Sequence, residues 1–262
     1  GVRRSRSRRC GTGRAARSPT LSRVSAFYLT TPIYYVNARP HLGHAYTTIA
    51  ADIAARHMRQ RGADVFFLTG TDEHGGKVAR SAEAEGLTPK EFCDRVSAIF
   101  RQLASDVDAT NDFFIRTSDA GHEEFVQRFV ERMRERGDVY EGTYEGLYCV
   151  GCEAFYTEDE LDEGRCRIHG TPTERLEEKN WFFRLSAYEE PLRALYAERP
   201  DFVVPRTRYN EALAFIDGGL ADISLSRASI EWGIPVPWDP EQVIYVWIDA
   251  LINYASALTY AR

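Results

Sequence analysis

The 262-residue chain has no apolar run approaching the roughly 18 residues that a bilayer-crossing helix needs, so a helical membrane span is excluded. It has only five cysteines, an odd number and too few for a disulfide scaffold. Three of them (Cys149, Cys152, Cys166) gather in one short segment, which points to a reducing compartment and a metal site. Internal repeats are absent. Residues 1–25 lack any acidic side chain and hold eight of the 33 basic ones, all arginine. With almost nothing to bury, this stretch reads as a disordered arm: a transit peptide, a nucleic-acid-binding segment or an upstream stretch foreign to the protein. The remainder carries 25 basic residues against 39 acidic ones, a net charge of −14. Such a body does not hold nucleic acid over its whole surface, and any contact with a polyanion needs a local patch. What is present is ordinary for a globular protein, 44% hydrophobic and 27% charged, enough for one large core and a smaller satellite.

Ala26 to Thr30 reads as a buried strand stopped by Thr31-Pro32. Gly43 to Arg61 has helical periodicity, with Ile49 and Ile53 four apart as its expected inner face and arginines near its carboxyl end. Val65 to Thr69 is a second buried strand. Strand, helix and strand in about 45 residues predict a right-handed βαβ unit with parallel strands. Its two polar loops, Thr31 to Leu42 and Gly70 to Gly76, then face one crevice at the carboxyl edge of the sheet, where doubly wound folds bind ligands. A helix over about 89–107, a strand over 112–115 and a helix over 119–136 follow. From Val139 the chain turns to short Tyr/Gly/Glu segments around cysteines, with a helical part at about 187–199. Val243 to Trp247 then resumes the strand pattern. The expected organisation is an α/β, doubly wound parallel sheet. It comprises an arm (1–25), a first half (26–137), an inserted module (138–240) and the start of a second half (241–262).

Four constellations carry chemistry. His41-Leu42-Gly43-His44 opens a helix, where free N–H groups and the dipole attract phosphate and two imidazoles can donate to its oxygens. Gly70-Thr71-Asp72-Glu73-His74-Gly75 places a polar cluster at the ligand edge. There Asp72 can pair with an ammonium group and His74 with a phosphate or hydroxyl, or else the aspartate caps the next helix. Cys149-x2-Cys152-x13-Cys166-x2-His169 presents two ligand pairs with the spacing of a closed, structural Zn²⁺ site. Tyr245 to Tyr254 holds aromatics that either wall an apolar pocket or simply fill core. Cys93, on a helix, reads as an inert buried thiol, and Cys10 falls in the arm.

Together these residues resemble the methionyl-tRNA synthetases, class I aminoacyl-tRNA synthetases. Thr30 to Asn37 with His41-Leu42-Gly43-His44 is similar to the first strand and "HIGH" signature of that family, with Leu for Ile. The Gly70–Gly75 motif, the cysteine knuckle, Asp222 to Arg227 and Tyr245 to Ala250 follow in the family's order, and the resemblance runs from about Phe27 to the last residue. It implies ATP-dependent activation of methionine to methionyl-adenylate, with Mg²⁺ accompanying ATP, then transfer to tRNA(Met). On that resemblance His41, Gly43 and His44 hold the phosphates, and His41 and His44 stabilise the transition state. Asp72 takes the ammonium group, while Ile33, Tyr35, Trp247, Ala250, Leu251 and Tyr254 line the side-chain pocket. Arg227 is a candidate for closing the site over the adenylate. The family's "KMSKS" loop and helical anticodon-binding domain are not in this sequence, so a truncated chain with weak activation is expected. The intact knuckle resembles bacterial, cytoplasmic members more than mitochondrial ones. A class I synthetase for another apolar amino acid, a non-catalytic tRNA- or partner-binding remnant and a small nucleotidyltransferase are the rival readings.

Overall fold

The computed structural model describes residues 25–152 and 154–261. Its centre is a parallel sheet of β1 (Ala26–Thr30), β2 (Tyr34–Tyr35), β3 (Asp64–Asp72) and β4 (Phe113–Arg116). Along one side of β3 lie β1 and then β2, and along the other lies β4. The crossovers are α1 (Leu42–Gln60) between β2 and β3, and α2 (Gly76–Ala84) with α3 (Pro89–Asp106) between β3 and β4. Helix α4 (Ala120–Glu135) follows β4. Alternation along β4 shows that both faces of the sheet are covered. Phe114 packs with Phe92, Val96 and Phe100 of α3, whereas Phe113 and Ile115 join Phe66, Leu68 and Ala257 on the other side. The doubly wound expectation holds.

The expected inner face of α1 does not. Ile49 and Ile53 are 43% and 63% exposed, and the buried residues are Thr48, Asp52 and Ala55. Asp52 is drawn inward because it accepts the Thr110 N–H at 2.7 Å and the Thr110 hydroxyl at 2.6 Å, and pairs with Arg56 at 2.5 Å. Its carboxyl lies below the usual range: burial works to raise it, and the Thr110 and Arg56 hydrogen bonds outweigh that.

The second region begins with β5 (Val139–Cys149), β6 (Ala154–Tyr156) and β7 (Glu174–Phe183). Helices α5 (Glu189–Glu198) and α6 (Arg206–Asp217) come next. The short strands β8 (Ile223–Ser224), β9 (Ser226–Arg227) and β10 (Pro235–Val236) lead to β11 (Asp239–Ile244) and the last helix, α7 (Val246–Tyr260). One antiparallel sheet has the order β6-β5-β7-β8 and a smaller one β10-β11-β9. Sequence periodicity missed α6, whose apolar residues do not form one clean stripe: Tyr209 and Ile216 pack on Tyr196, while Phe215 faces solvent. The strand expected over Val243–Trp247 ends at Ile244 and pairs antiparallel with β9 and β10, not within the parallel sheet. Tyr245 already caps a helix, its carbonyl accepting from Ile248 and Asp249, so Trp247 is helical. Val126 and Val130 of α4 pack with Val139, Leu225, Ile234 and Ile244, which fastens this region to the parallel-sheet unit.

Candidate functional site

The start of α1 is capped by its own histidines. Nδ1 of His41 accepts the Gly43 N–H at 3.0 Å, and Nδ1 of His44 accepts the His41 N–H at 3.0 Å. In a neutral ring whose Nδ1 accepts, the proton sits on Nε2, so both imidazoles are fixed as Nε2–H donors. The rings lie 3.9 Å apart, and His44 is walled by Tyr34 and Phe100. Burial, with His41 beside it, holds the His44 ring below its ordinary pKa and therefore neutral. One expectation is thereby corrected. The N–H groups of His41 and Gly43 are taken up by the rings, which keep one Nε2–H each as a donor. Gly43 is required for this arrangement, since a Cβ there would stand 2.9 Å from Cε1 of His41. Gly43→Ala is expected to release the His41 ring. Cap loss of about 1 kcal/mol and the better helix propensity of alanine, also about 1 kcal/mol, nearly offset, so stability shifts by less than about 1 kcal/mol. Long-range ¹H–¹⁵N spectra check this: two Nε2–H rings in the parent, and a single fixed one in the variant.

At the carboxyl edge of the sheet, Tyr35 and Asp72 are register partners on β2 and β3. Across from them α7 presents Trp247, Ala250, Leu251 and Tyr254, spaced to share one helical face. Between these lies a cavity of about 360 Å³, which Ile33 also lines. All seven pocket residues expected from the sequence meet there, from positions as far apart as 33 and 254. Its lining is mostly apolar, with Asp72 and Lys77 as the charged members. Pro32, Lys77, Cys152 and Val246 line it too and were missed. Lys77, in the first turn of α2 just past the Gly75-Gly76 pair, was the one that a search for cations near Asp72 could have found. Arg227 is not among the lining residues. It is buried, donates to the Ser224 hydroxyl and Ser226 carbonyl, and stacks 3.9 Å from the Tyr245 ring centre.

Behind the cavity the polar loop is buried. Glu73 accepts from Thr71, from Ser118 and twice from Arg116, at 2.6–2.8 Å. His74, which the sequence offered for a phosphate or hydroxyl, is buried with its Nδ1 2.7 Å from Oδ2 of Asp249. Complete burial pushes the Asp249 carboxyl up, against the pull of His74. Cys93 is the inert thiol expected: burial raises it to about 12, and its Sγ lies 3.4 Å from the Glu73 carbonyl.

The donor atoms of Cys149, Cys152, Cys166 and His169 all lie within 4.8 Å of one another. Nδ1 of His169 is 3.2 Å from Sγ of Cys152, 3.8 Å from that of Cys166 and 4.0 Å from that of Cys149. Tetrahedral bonds of about 2.0–2.3 Å to one ion require separations of this size, so the set fits Zn²⁺. The turn is built for it, because a Cβ on Gly151 would stand 2.7 Å from the His169 ring. Burial opposes ionising the Cys166 thiol, yet N–H groups of His169 and Ile168 bring it down to about 6.

The family described as "tRNA synthetases class I (M)" matches residues 27–166 and 156–262. A "Methionine--tRNA ligase" of Thermotoga maritima is 54% identical over 89% of this chain and 38% of its own length. A "Methionine--tRNA ligase, chloroplastic/mitochondrial" of Arabidopsis thaliana is 51% identical over 94% of this chain and 40% of its own. Among solved structures, Mycobacterium tuberculosis methionyl-tRNA synthetase in complex with methionyl-adenylate superposes with a TM-score of 0.86 at 45% identity. That match covers 90% of this chain and 47% of the other. The chain thus spans less than half the length of each of these relatives. No helix among the described residues is long and apolar enough to cross a membrane.

Proposed function

The chain belongs to the class I tRNA synthetases of the (M) family, and from that membership we propose that it carries the amino-acid activation site of a methionine–tRNA ligase. The observation that carries this is the single cavity in which Asp72 meets Ile33, Tyr35, Trp247, Ala250, Leu251 and Tyr254. An unbranched thioether suits a slot of apolar and aromatic edges, and Asp72 supplies the charge for the ammonium group. The methionine carboxylate attacks the α-phosphate of Mg²⁺-bound ATP and pyrophosphate leaves. The Nε2–H groups of His41 and His44 donate to the phosphate oxygens, where negative charge accumulates. Positioning and charge stabilisation suffice, with no protein nucleophile. A terminal hydroxyl of tRNA(Met) then attacks the carbonyl carbon of the adenylate, forming the ester as the bond to AMP breaks and AMP leaves.

Zn²⁺ on Cys149, Cys152, Cys166 and His169 has a structural role in this reading, because all four positions are filled by protein. Residues 26–137 and 241–262 form the activation unit and 138–240 the inserted module, while of the arm (1–25) residues 1–24 lie outside the described residues. Thiols kept free for a metal favour a reducing, cytoplasmic setting. Isothermal titration tests the proposal. Methionine is expected to bind, leucine to bind at least about tenfold more weakly, and Asp72→Ala to lose about 100-fold, some 2.7 kcal/mol. Leucine binding as well as methionine would overturn it.

A further inference from the structure

The carboxyl end of β3 carries Asp72, and α7 carries the aromatic wall of the cavity. The two are far apart in sequence, and the slot between them has a width that nothing covalent sets. His74 lies two residues beyond Asp72, and Asp249 immediately precedes Ala250. Their side chains meet at 2.7 Å, Nδ1 to Oδ2, with the imidazole 2% and the carboxylate 0% exposed. Nε2 of His74 faces Oε1 of Glu123 on α4 at 3.9 Å, and the ring of Trp232 lies 5.3 Å away. The carbonyl end of α7 is held by other means, the packing of Ala257 on the sheet and the Ser256 hydroxyl on His122.

We propose that His74 and Asp249 are positioning residues, a strut that fixes the distance between the ammonium-binding Asp72 and the wall formed by Trp247, Ala250, Leu251 and Tyr254. The inference rests on the cavity being the methionine pocket. Stability alone is a poor reason for the pair. Apolar side chains of like volume commonly do as well as a buried ionic pair, and Oδ1 of Asp249 is buried without a hydrogen-bond partner among the described residues. What a short, fully buried bridge delivers is one spacing. A displacement of the wall by about 1 Å is enough to cost about 10- to 100-fold in productive binding.

The test is methionine and leucine titration of the parent chain and of His74→Ala, Asp249→Ala and Asp249→Asn, with melting followed in parallel. Both alanine variants are expected to lose about 10- to 100-fold in methionine affinity and to narrow the preference over leucine. Asp249→Asn, which keeps an acceptor oxygen in place, retains affinity within about threefold, and the double alanine variant loses little more than either single one. If an alanine variant melts below the assay temperature, His74→Phe with Asp249→Leu replaces it. That pair restores packing without the bridge, and the same loss is expected. Alanine or Phe/Leu variants that fold and bind methionine like the parent overturn the strut and leave the pocket standing. A parent chain that does not prefer methionine overturns the pocket, and the strut with it.

Discussion

Removal of metal with a strong chelator, or Cys149→Ser, is expected to unfold residues 147–175 and to leave the parallel sheet folded. Among the described residues of that stretch, the buried apolar side chains other than cysteine are Tyr148 and Leu161. Burying two such side chains contributes roughly 3–6 kcal/mol. The β5–β7 ladder reaches into the stretch only as far as the Tyr148–Glu174 pair. Four bonds to one ion, worth about 10–16 kcal/mol in small zinc modules, therefore outweigh what the stretch's own apolar burial contributes. Hydrogen exchange read by mass spectrometry checks this. Peptides in 147–175 lose protection on chelation and regain it when Zn²⁺ is restored, while β3 and α3 do not change. Because Cys152 also lines the cavity, methionine affinity falls in step. Protection unchanged after verified metal removal would rule the structural metal out.

Glu73→Ala is expected to lower the stability of the parallel-sheet unit by about 3–5 kcal/mol, a large part of the roughly 5–15 kcal/mol that holds a domain together. Glu73 is fully buried, and its carboxylate is the shared acceptor for Arg116, Thr71 and Ser118. Its main-chain carbonyl accepts from the Trp232 indole at 2.5 Å, so β3, β4 and the second region converge on one residue. Truncation leaves the Arg116 guanidinium, 16% exposed, with Asp94 alone. Glu73→Gln keeps the volume and part of the bonding and costs less. Replacing both partners, Glu73→Leu with Arg116→Met, recovers most of the loss, since no buried charge is then left unpaired. Urea denaturation midpoints give the ranking, and a Glu73→Ala midpoint equal to the parent's would refute it.

How much of this was legible depended on how far apart the partners stand in sequence. The His41–His44 unit is complete within four residues, so its place at a helix start could be read directly; that its rings cap the helix could not, because two imidazoles used as caps leave no compositional trace. The clustering of Cys149, Cys152, Cys166 and His169 was legible for the same reason, as their spacing is their geometry. The cavity was different. Nothing in the sequence itself says that Ile33 and Tyr254 touch one space, and only the family resemblance joined them. His74 and Asp249, 175 residues apart, and Glu73 and Arg116, 43 apart, were not legible at all. Periodicity misled on α1, where the apolar residues Leu42, Tyr46, Ile49 and Ile53 share the exposed stripe and a threonine, an aspartate and an alanine face inward.

The two histidines that cap α1 each give one nitrogen to the main chain, which leaves each ring a single N–H to offer. Neither ring can therefore accept a proton from a reactant without first giving up its hold on the helix. Neither imidazole can then serve as a general base while it caps the helix. An attacking group that arrives already ionised needs none, and at neutral pH the carboxylate of an amino acid is such a group.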